Sequence, residues 1–95
     1  MPQTAPDGPV ASAIRAKLTA AFAPQRLAIV DESRLHAGHA GAREDGESHF
    51  RIEIVSAAFR GLSRVERHRR VNAVLAEELA GQIHALSLDV RDPDA

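Results

Sequence analysis

Residues 48–56, SHFRIEIVS, alternate without interruption: Phe50, Ile52 and Ile54 take one face, Arg51 and Glu53 the other. A period of two marks a strand with one buried side. Such a strand needs neighbours in a sheet and a second layer to cover its apolar side. The chain has 95 residues, which is room for one core and no second domain. The rest of the sequence therefore has to supply the partners of this strand.

It supplies two helices and two further strands. Val10, Ile14, Leu18 and Phe22 recur every four residues, with Ala11 and Ala21 beside them. Pro9 suits a first helical turn and Pro24 ends the segment, so the spacing predicts a helix over 10–22. Leu27 to Ser33 opens apolar and reads as the first strand. Residues 34–47, RLHAGHAGAREDGE, hold three glycines, two histidines and no apolar period. They read as a loop, long for a hairpin, of the kind that is usually functional or mobile. FRGLS (59–63) is a turn. Ser63 and Glu66 match a capping box, and the helix it opens is placed over 64–80, with Val71, Val74, Leu75 and Leu79 on one face and Gly81 as its stop. After a turn or short helix, Leu86, Leu88 and Val90 alternate with Ser87, Asp89 and Arg91 as the last strand. His84 stands at its entry.

The order is helix–strand–strand–helix–strand. The first two strands pair antiparallel. A strand–helix–strand connection in one sheet crosses over right-handed, and if the last strand lies beside the second, the two are parallel. The expected fold is α+β: two layers, a three-stranded mixed sheet with helices on one face. Residues 9–91 form the domain, with polar tails at 1–8 and 92–95.

Composition removes several functions. There is no cysteine, hence no thiolate nucleophile and no self-contained thiolate cage for zinc or iron–sulfur. Net charge is −1, so overall charge draws the chain to neither nucleic acid nor membrane. The aromatics are three phenylalanines, poor material for base stacking. No apolar run is long enough for a membrane span. The start, MPQTAPDGP, lacks the basic-then-apolar order of a secretory signal, and the expected location is the cytoplasm. No Ser/His/Asp set has a nucleophile-elbow context. Asp31 and Glu32 are adjacent and point to opposite faces of a strand. The expectation is a protein without catalysis.

Two constellations remain. Five histidines stand out: His36 and His39 in the glycine-rich loop, His49 opening the second strand, His68 in the second helix and His84 at the last strand. Imidazole is the commonest borderline metal ligand. His84 with His36 or His39 makes a plausible ligand pair at one rim of the sheet, but two imidazoles alone do not complete a tetrahedral metal site, so the expectation is either no metal site or one finished by a partner. His49 reads as a rim residue and His68 as structural or helix-capping. The second constellation is basic: Arg60, Arg64, Arg67, Arg69 and Arg70 face a single Glu66 between residues 60 and 70. Such a cluster suits phosphates or an acidic protein surface, or is simply a solvated helix face.

In this order and spacing, DESRLHAGHAG, ESHFRIEIVS, FRGLSRVERHRRVNAVLAEEL and IHALSL resemble the BolA family over about residues 9–91. The most specific pieces are HF (49–50) leading into IVS, F-x-G (59–61), RHR (67–69) and HAL (84–86). The resemblance implies a fold similar to the second class of KH domain without its nucleotide-clamping GxxG; GHAG (38–41) lies between strands rather than helices. It implies a non-enzymatic partner of a monothiol glutaredoxin, the two sharing a 2Fe–2S cluster to which the glutaredoxin gives a cysteine and bound glutathione a second thiolate. No cofactor is then expected in the isolated chain, a monomer or weak homodimer. Carried onto this sequence, one ligand is His84 and the other is His36 or His39. Some members are described as transcriptional regulators, so DNA binding through Arg60, Arg64, Arg67, Arg69 and Arg70 is the rival expectation.

Overall fold

The computed structural model describes residues 8–32, 49–81 and 83–94. Helix α1 (Pro9–Phe22) is followed by strands β1 (Arg26–Asp31) and β2 (His49–Val55). A short 3-10 turn (Ala57–Phe59) leads to α2 (Arg64–Val74), α3 (Ala76–Ala80) and β3 (Ala85–Arg91). The sheet order is β1-β2-β3. β1 lies antiparallel to β2, with Ile29 opposite Ile52, and β3 lies parallel to it, with Leu88 opposite Ile52. This is the mixed sheet read from the sequence.

The alternation of β2 decides what the core contains. Phe50, Ile52 and Ile54 are buried, and Ile14, Leu18, Phe59, Val71 and Leu75 from the helical layer complete the same cluster. Phe59, from the F-x-G turn, sets its ring 4.8 Å from that of Phe22 at the end of α1. Gly61 in that turn takes φ 76°, a left-handed conformation that a side chain disfavours.

The second helical segment departs from one straight helix over 64–80. Leu75 (φ −99°, ψ 18°) separates α2 from α3. Its N–H still reaches Val71 O at 3.1 Å, and Leu79 N–H reaches Leu75 O at 2.9 Å. Neither proline nor glycine stands there; the bent residue is fully buried. Gly81 follows α3 but with φ −114°, so it does not act as a left-handed cap. Half of the capping box forms: Ser63 Oγ accepts from Glu66 N–H at 3.1 Å, while the Glu66 carboxylate turns to Arg70 at 3.3 Å.

Candidate functional site

The parallel register brings two histidines together. His49 is the first residue of β2 and pairs with Ala85, the first residue of β3. His84 immediately precedes Ala85. The two imidazoles lie with ring centroids 5.3 Å apart and planes tilted by 49°. His49 is 7% exposed, whereas His84 is open to solvent. The corner where β2 and β3 begin thus offers an exposed imidazole resting on a buried one. His36 and His39, the loop ligands expected from the sequence, lie outside the described residues. Among the described residues, no group of three or more metal-ligating side chains forms.

His49 is the residue that sequence reasoning undervalued. By alternation it belongs with Arg51 and Glu53 on the side away from the core, so period alone predicts a wet side chain. The signal that finds it is the pairing of HF (49–50) with HAL (84–86): with β2 and β3 parallel, His49 pairs with Ala85, and His84 falls one position before it at the same end of the sheet.

The sheet side bearing Arg51 is a lattice of charge. Arg51 reaches Glu32 at 3.1 Å and Glu53 at 2.7 Å, and Arg26 reaches Glu53 at 3.7 Å. The hydrogen bond with Glu32 holds the Arg51 guanidinium above even its ordinary basicity. Arg91 is raised in the same way by its paired contacts with Asp89 at 2.9 and 3.0 Å.

The arginine cluster does not stand as one free patch. Arg67 is withdrawn into the fold: its guanidinium donates to Leu62 O at 3.1 Å, to Val90 O at 3.4 Å and to Asp92 at 2.9 Å. Arg60 meets Asp94 at 3.0 Å, and Arg69 and Arg70 share Glu66. Arg64 and Arg69 also border an open depression on α2, together with Val65, His68 and Asn72. His68 therefore belongs to the outer side of α2, and Val65 beside it is 68% exposed.

Comparison with known proteins agrees with this architecture. Residues 18–95 match the family described as BolA-like protein. The chain belongs to the BolA family. It is 49% identical over 86 residues to BolA-like protein 1 of Homo sapiens, a match covering 90% of this chain and 60% of that protein. It thus spans about 60% of the length of the curated BolA-like protein 1 relatives. Among solved structures, BolA1 from Arabidopsis thaliana superposes with a TM-score of 0.81 at 39% identity, covering 93% of this chain and 96% of that one. The BolA domain of SufE1 from the same plant gives 0.84 at 42% identity, covering 94% and 98%. Two Arabidopsis relatives carry organelles in their names, one chloroplastic and one chloroplastic/mitochondrial, so the family is not confined to one compartment. Among the described residues of this BolA chain, no helix is long and apolar enough to cross a membrane.

Proposed function

We propose that this BolA-family chain is a non-enzymatic partner of a monothiol glutaredoxin and shares a 2Fe–2S cluster with it, in cluster handling or iron and redox signalling. The observation that carries the reading is the exposed imidazole of His84, held at the mouth of β3 against a second ring. A chain without cysteine lacks the thiolates that ordinarily hold such a cluster. It can complete a coordination sphere begun by another molecule's sulfur donors. The donor chemistry fits: neutral imidazole ligates iron well, and His84 is accessible to a docked protein. The second imidazole on this side comes from His36 or His39. Glutathione and the glutaredoxin cysteine supply the thiolates, and imidazole in place of thiolate on one iron raises the reduction potential of the bound cluster.

The same reading leaves Arg64 and the outer side of α2 for an acidic partner surface. The rival role in DNA binding loses its central cation, because Arg67 is spent on two carbonyls and Asp92.

The test is co-expression with a monothiol glutaredoxin, followed by iron and sulfide analysis of the purified pair. The expected result is about two irons and two sulfides per heterodimer, with visible absorption and circular dichroism altered by His84→Ala. A pair without iron and sulfide, or a spectrum indifferent to His84→Ala, overturns the assignment.

A further inference from the structure

The cluster reading takes its second imidazole from the 34–47 segment and makes no use of His49. Yet His49 is the ring placed against His84. Two imidazoles that share one tetrahedral ion through nitrogens ~2.0–2.1 Å from the metal set their ring centroids about 5 Å apart. The observed separation is 5.3 Å. The two residues are 35 positions apart in sequence; His49 opens β2, and His84 immediately precedes β3, whose first residue Ala85 is paired with His49. One ring is buried and the other faces solvent, so an ion arriving from water meets His84 first and His49 behind it.

We infer that His49 and His84 together bind one divalent ion of the borderline class, zinc, nickel or copper, in the chain without its partner. Imidazole pairs suit these metals rather than magnesium or calcium. No Asp, Glu or further His of the described residues joins the pair as a third ligand. Water fills the remaining positions, and binding is weaker than at a closed structural zinc site. If the cluster reading holds as well, the two uses of His84 exclude one another: an ion bridging His49 and His84 has to leave before His84 can ligate a cluster.

The test is calorimetric titration of the metal-free, partner-free chain with zinc chloride. The expected result is one ion per chain, with the dissociation constant raised at least tenfold by His84→Ala and by His49→Phe, the latter keeping a ring in the buried position. His68→Ala and a joint His36→Ala, His39→Ala variant should stay within twofold of the parent. Wild-type affinity in folded His49→Phe, loss of binding in the joint loop variant, or no saturation below millimolar zinc overturns the proposal. Should His49→Phe not fold, copper(II) broadening of amide signals in the unaltered chain decides: broadening centred on His49, Phe50 and Ala85 supports the site, and broadening centred elsewhere overturns it. Zinc binding by the free chain together with a glutaredoxin pair lacking a cluster leaves this site standing and removes only the cluster reading.

Discussion

Ser56 shows how much one small side chain carries. It is 1% exposed. Its hydroxyl donates to Phe22 O at 2.6 Å and accepts from Ala58 N–H at 3.1 Å, while its own N–H reaches Arg91 O at 3.0 Å. One residue thereby fastens the end of α1, the 3-10 turn and the end of β3. Ser56→Ala leaves a buried N–H and a carbonyl without that partner and should cost about 2 kcal/mol, read as a lower urea midpoint at unchanged slope. Nothing in the sequence distinguishes this serine from one at any strand end, because its partner carbonyl is 34 residues away. His49 was hidden for a related reason. Alternation reports which side of a strand a residue takes, and that side is usually wet, but only the register with β3 reveals what stands next to it.

At the level of elements, the arginines between 60 and 70 illustrate what a linear charge count misses. The sequence presents five cations against one acid. The fold brings up Asp92 and Asp94 from beyond β3 and places them on Arg67 and Arg60. Arg67 and Asp92 are only 18% and 15% exposed, so their contact is sheltered from water and ties α2 to the end of the sheet. Arg67→Met should destabilise the fold by about 2–3 kcal/mol, since it strands a half-buried carboxylate. Chemical denaturation checks the value, and Arg64→Met, at an exposed position, serves as the near-neutral control. β2 and β3 were legible because period two is unambiguous over seven residues, β1 because it opens as a short apolar run, and α1 because its apolar spacing is regular. The bend at Leu75 was not, because the apolar stripe of α2 and α3 continues through it.

On the scale of the whole molecule, a charged clamp joins the first helix to the last. Lys17 meets Glu77 and Glu78, both at 2.8 Å. The hydrogen bond from Lys17 holds the Glu77 carboxyl below its ordinary range, and the same contact holds Lys17 above its own. As pH falls, the unfolded chain therefore takes up the Glu77 proton before the folded chain does. The stabilisation is complete above the usual carboxylate value of about 4.3 and is lost as pH drops through the lowered folded value. Lys17→Met should reduce stability at pH 7, with the gap to the parent closing in acid; denaturation curves at a series of pH values read this directly. The overall arrangement of layers was legible from the order of elements, since a helical crossover leaves two neighbouring strands parallel. The same parallel pairing sets a condition on timing. His49 and His84, 35 residues apart, come together only where β2 and β3 pair, so an incompletely folded chain does not hold these two imidazoles side by side. Uptake of the proposed ion then requires a chain that has already folded.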